Sequence, residues 1–146
     1  MKTFQTSFLF LSLALAAFSC KKDKTTTQET IQNNLKSGTW RISSFIDSGT
    51  DETYHFNGFS FTFQANGILT ATNGTTTYTG SWSLTDSNSG DDSHHDLHFH
   101  IHFDLTNEFG DLNDDWHIQS QSPTKIELYD VSGGGSGTDY LTFEKN

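Results

Sequence analysis

Between Leu97 and Leu105 the chain alternates without a break: Leu97, Phe99, Ile101, Phe103 and Leu105 are apolar, and His98, His100, His102 and Asp104 lie between them. A period of two sends successive side chains to opposite faces of an extended strand, so this stretch has one dry face and one wet face. A helix could not sort these residues, because 3.6 residues per turn would spread the apolar set around the cylinder. Shorter versions of the pattern recur at Phe59, Phe61, Phe63 and at Tyr78, Gly80, Trp82, Leu84.

From Gly38 onward, short runs of β-branched and aromatic residues alternate with clusters of Gly, Asn, Asp and Ser. Strands are expected over Thr39 to Ile46, Glu52 to Phe56, Gly58 to Gln64, Ile68 to Thr72 and Thr76 to Leu84. Further strands follow over Leu97 to Leu105, Asp114 to Gln121, Lys125 to Asp130 and Asp139 to Glu144, some of the short ones merging. Ala65, Asn66, Gly67 and Thr72, Asn73, Gly74 supply the residues that tight reversals need, so neighbours in sequence should pair. Ser132 to Gly137 is too rich in glycine to order itself and reads as a flexible hairpin tip. A meander of this size must hide its edges, and rolling it up removes them. The expected fold is therefore all-β, an antiparallel meander of about eight strands forming a closed or partly open barrel.

The other end of the chain carries an address. Lys2 precedes an apolar run from Phe8 to Phe18 that ends in small residues and the single cysteine, Cys20. That run is too short for a bilayer core, which takes roughly twenty residues, and its basic start suits a secretory signal. Ala17, Phe18, Ser19 and Cys20 resemble the lipobox of bacterial lipoproteins. The resemblance implies cleavage before Cys20 and acylation of that residue, placing the protein in a bacterial cell envelope with the outer membrane favoured. The chain then divides into a signal over 1–19, a polar tether over 20–36 and a barrel domain over 37–146. A short helical turn at Glu29 to Leu35 would lead into the first strand.

Lys2 is the only charged side chain in 1–19, so the formal charge of −10 becomes −11 once the signal is removed and the new amino terminus acylated. Such a chain repels nucleic acid, whose binding rests on basic neutralisation of phosphates, and repels anionic membrane surfaces, which leaves the lipid as the attachment. One cysteine excludes an intramolecular disulfide. The domain must be held by its core, and thirteen Phe, three Trp and four Tyr supply the material.

Gly38, Thr39 and Trp40 at the head of the first strand resemble the G-x-W motif of lipocalins, and the strand count and order from Leu35 to Lys145 resemble the small lipocalin-like domains of envelope lipoproteins. That resemblance implies a barrel that carries a small apolar ligand. It also implies a basic side chain on the motif tryptophan, a place that falls here to Lys145.

The residues point to three uses. Trp40, Phe59, Phe61, Phe63, Trp82, Phe99, Phe103 and Phe143 should face inward, where a barrel of eight strands has room for one small hydrophobic ligand or for its own side chains. Second, His98, His100 and His102 share the wet face of one strand about 6.7 Å apart in sequence order. If the next hairpin folds symmetrically about Thr106 to Asp111, His100 faces His117 and His102 faces Asp115, an N/O set suited to zinc or copper. Third, the barrel could serve as a monomeric interaction module that presents loops such as Asp86 to His95 to another envelope protein. Catalysis is not expected: no serine or thiol sits in a nucleophile motif, and the adjacent Asp114 and Asp115 point to opposite faces. Neither Asp86, Asn88, Asp91 nor Asp111, Asn113, Asp115 has the spacing of an EF-hand loop.

Overall fold

A computed structural model describes residues 24–86, 97–131 and 137–146. The signal, Cys20, the loop residues 87–96 with His94 and His95, and the glycine-rich residues 132–136 lie outside the described residues. Helix α1 (Lys24–Lys36) leads into strands β1 (Trp40–Asp47), β2 (Thr50–Asp51), β3 (Ser60–Phe63), β4 (Ile68–Thr72), β5 (Thr77–Asp86), β6 (Leu97–His102), β7 (Asp114–Gln121), β8 (Lys125–Val131) and β9 (Thr138–Lys145). From β3 to β9 each strand pairs antiparallel with the next, and β9 returns to β1 from Trp40 against Lys145 to Ile46 against Tyr140. The result is a closed barrel of eight strands with β2 as a short addition beside β1.

Closure is uneven. β1 meets β3 only at Trp40 against Phe61, so that seam depends on side chains. A single 3-10 turn, Thr53–Phe56, spans it where a strand over Glu52 to Phe56 was expected. The Thr53 hydroxyl accepts from the Phe45 amide at 2.8 Å, which turns the chain inward, and Phe56 is buried edge-on against Phe45 and Phe109.

The segment expected to be a solvated tether is helical from Lys24 and reaches the core. Ile31 and Leu35, four residues apart on one helix face, are both buried. Two apolar residues suffice because they dock onto an open barrel end. Gln28 donates to the Leu84 carbonyl at 2.8 Å, and the Trp40 indole donates to the Leu35 carbonyl at 2.9 Å, satisfying one of the helix's last free acceptors. Gly38, at φ +90°, makes the left-handed exit that separates helix from strand. Lys145 lies over the Trp40 ring at 5.0 Å, the basic partner that the G-x-W resemblance implies.

The β6 strand ends at His102 instead of running to Leu105. Asn113 is the cause: its side-chain amide accepts from the Phe103 N–H and donates to the Phe103 carbonyl, taking the place of a strand partner. The chain then leaves the ladder, buries Phe109 and Leu112 over the barrel end, and passes through a 3-10 turn, Gly110–Leu112, before β7.

If α1 seals the barrel, Leu35→Ala should cost about 2–4 kcal/mol in urea unfolding of the full chain. A loss near zero would return the helix to the status of a tether.

Candidate functional site

The inward set lies where alternation predicts. Trp40, Phe61, Phe63, Trp82, Phe99, Phe103 and Phe143 are buried, and Phe59 is partly buried against them. They touch one another instead of lining a space: Phe63 packs on Trp82, Phe99 and Phe143 at 5.4 to 5.6 Å, and Phe61 packs on Phe143 at 5.3 Å. Space is so tight beside Phe103 that β5 needs Gly80. A Cβ there would stand 2.7 Å from the Phe103 ring and collide with the His102 carbonyl oxygen. Ile31 and Leu35 close one end of the barrel, and Phe56, Phe109 and Leu112 close the other. A cavity of about 200 Å³ lies between α1 and the adjoining rim, bordered by Gln32, Lys36, Gly67, Trp82 and Ser83.

The outer wall brings together part of the predicted histidine set. β6 pairs with β7 as His98 against His117 and His100 against Asp115. The symmetric hairpin had placed His100 opposite His117 and His102 opposite Asp115, so the true register is displaced by two residues. An even displacement keeps every side chain on its expected face but changes its partner. His102 is consequently left out: it is exposed and sits opposite Ser81 of β5.

Asp115 is the centre of the cluster. Its Oδ1 lies 3.0 Å from His98 Nδ1 and 3.2 Å from His100 Nδ1. The His98 and His100 rings are nearly parallel, 22° apart with centroids at 6.4 Å. His117 packs against His98 at 4.6 Å and stacks on Tyr129 at 5.1 Å, so the cluster has a firm back. Thr85 Oγ1 and His100 Nε2 are 2.8 Å apart, so the ring is held between Thr85 on one nitrogen and Asp115 beside the other. His98 is different. Its Nδ1 is shut off from solvent and makes no hydrogen bond, although Asp115 Oδ1 lies 3.0 Å away. A buried polar atom in that state costs about 1–3 kcal/mol.

Sequence reading missed Thr85 and Tyr129, since neither is distinctive alone and only the strand pairing assembles them. Thr85, His100 and Asp115 have the order of an acyl-transfer triad. They lie on a sheet face where, among the described residues, the backbone of β5, β6 and β7 is engaged in the strand ladder. Among the described residues, no group of three or more His, Cys, Asp or Glu side chains is placed to hold a metal ion.

A second acidic group meets at the barrel rim. Asp130 pairs with Asp139 across β8 and β9, and the Ser48 amide donates to Asp139 at 2.7 Å. Asp114 faces this pair. Crowding by protein around its carboxyl raises its pKa above the usual value, and repulsion from Asp130, Asp139 and Asp115 adds to the rise against a hydrogen bond from the Asp115 amide.

Fold and site together define a closed antiparallel β-barrel with a solid interior and a histidine-bearing wall. No protein-family model matches the chain, and no curated protein matches it. Among solved structures it is similar to a DUF4847 family protein from Bacteroides vulgatus, at 19% identity and a TM-score of 0.49, covering 80% of this chain and 97% of that one. No helix among the described residues is long and apolar enough to cross a membrane, which says nothing of strands.

Asp114 carries a testable sign. A carboxyl whose folded pKa is raised lowers stability at neutral pH, and the penalty is relieved as pH falls through that raised value toward 3.8. Asp114→Asn should therefore raise the melting temperature at pH 7 and lose that advantage in acid. An equal shift at both pH values would refute the electrostatic account.

Proposed function

We propose that this chain is a lipid-anchored, non-catalytic, monomeric protein of a bacterial cell envelope, the outer membrane favoured, that works through the outer surface of a solid barrel. The observation that carries the reading is the filled interior: inward rings pack on one another and both barrel ends are closed. Carriage of a small apolar ligand along the barrel axis, which the lipocalin resemblance implied, loses support for the same reason. The anchor rests on the sequence alone, on the apolar run after Lys2 and the lipobox-like Ala17 to Cys20. With an acyl chain on Cys20, α1 would begin four residues beyond it and would set the sealed barrel end toward the membrane. Multiple acylation is needed for stable anchoring, because one chain holds a protein only marginally.

A second reading, transition-metal binding on the outer wall, is favoured by one specific feature. His98 Nδ1 is buried without a hydrogen bond and points to the same carboxylate oxygen as His100 Nδ1.

Growth with an alkyne-bearing fatty acid, followed by click labelling and fractionation, tests the anchor. Label should appear on the wild-type chain in the membrane fraction and vanish in Cys20→Ser. Label-free wild-type protein would end the lipoprotein reading. Organic extraction of the purified protein should recover no stoichiometric apolar compound, and one recovered at a molar equivalent would restore the carrier reading.

A further inference from the structure

We infer that His98 Nδ1, His100 Nδ1 and a carboxylate oxygen of Asp115 are the three protein ligands of a divalent transition-metal site, with zinc the ion that fits best. The inference rests on the metal-binding reading above and gives it atoms.

Distances come first. Zinc bonds imidazole nitrogen and carboxylate oxygen at about 2.0–2.2 Å, so two corners of a tetrahedral site stand roughly 3.3–3.4 Å apart. The nitrogens of His98 and His100 lie 3.0 and 3.2 Å from Asp115 Oδ1, already close to that edge length. What the site lacks is convergence: both nitrogens approach one carboxylate oxygen, and as they stand the three side chains are not placed to hold a metal. Asp115 is half exposed, so a side-chain rotation can move its oxygen aside and open the space that the nitrogens face.

Tautomers come next. A ligating histidine characteristically donates its other ring N–H to a partner that fixes the ring. In the tautomer that carries its proton on Nε2, His100 donates to Thr85 Oγ1, 2.8 Å away, and presents the Nδ1 lone pair to a metal. His98 Nδ1 has no hydrogen bond to give up, so a metal would displace only its 3.0 Å approach to Asp115 Oδ1. The ring of His117 against His98, itself stacked on Tyr129, holds that imidazole from turning away. A fourth position would go to water. The acidic chain, at −10, favours any cation that approaches.

The test is zinc titration into the full chain in detergent, read by calorimetry and by nitrogen-15 spectra of the histidine side chains. One equivalent should bind, shifting Nδ1 of His98 and His100 while His100 Nε2 stays protonated. His98→Gln and Asp115→Asn should each weaken binding by at least about a hundredfold, the upper end of what losing a supporting partner costs. Thr85→Ala should weaken it by about tenfold, and His102→Gln should leave it unchanged. Circular dichroism of each variant checks that the barrel is intact, and Asp115→Asn and Thr85→Ala change only exposed positions. Failure of the wild-type chain to take up zinc would overturn both the metal reading and this assignment. Uptake that survives His98→Gln and Asp115→Asn but is lost in His102→Gln, or in a paired His94→Gln, His95→Gln variant, would overturn the assignment alone.

Discussion

Packing of large rings inside a ring of eight strands is the interaction from which the rest of this structure follows. A barrel of that size encloses just enough volume for inward side chains or for a small guest. Here Phe61, Phe63, Phe99 and Phe143 pack ring on ring with centroids 5.3 to 5.6 Å apart, and Gly80 is required where Phe103 leaves no space for a Cβ. Without a disulfide to close the chain, these contacts hold the fold. Edge-to-face geometry among them adds specificity beyond area, since ring quadrupoles favour it over random stacking. Closing the ends matters as much: a filled cylinder with open ends would still expose Trp40, Phe61 and Phe103 to water, and α1 and the segments carrying Phe56, Phe109 and Leu112 prevent that.

The outer wall depends on this interior through register. Which residue of β6 meets which residue of β7 is decided by where the hairpin leaves the ladder, and Asn113 decides that by binding both backbone groups of Phe103. Side-chain amides compete with strand partners in this way because they carry a donor and an acceptor at backbone-like spacing. Once Phe103 is taken, its ring faces inward and His98, not His100, stands beside His117. A packing choice in the core thus determines which imidazoles meet on the surface.

Alternation made most of this legible in advance. Leu97 to Leu105 declared its two faces, and the Gly-bearing reversals declared consecutive hairpins, so the barrel and its inward rings followed from period and turn chemistry alone. Register was not legible, because the hairpin loop was assumed symmetric and nothing in the sequence marks Asn113 as a strand surrogate. The docking of α1 was hidden for a related reason. Ile31 and Leu35 are two apolar residues in a polar run, too few for an amphipathic signal, and they become a core only against an open barrel end that the sequence does not display. The Glu52 to Phe56 stretch has strand-like composition, yet Thr53 bonds to Phe45 and bends it into a turn.

A solid barrel also changes what its surface can do. Side chains on a hollow or mobile wall would lose rotational freedom on meeting an ion, and that entropy would oppose binding. On this wall the backbone of β6 is held on both sides, by β5 and by β7, and His98 and His117 rest on each other and on Tyr129. Much of the ordering is therefore complete before any partner arrives. Among the described residues one buried side-chain polar atom lacks a hydrogen bond, His98 Nδ1, which faces a carboxylate 3.0 Å away. An unsatisfied nitrogen held rigidly in place lowers stability, and a partner that meets it recovers that energy with little ordering left to do.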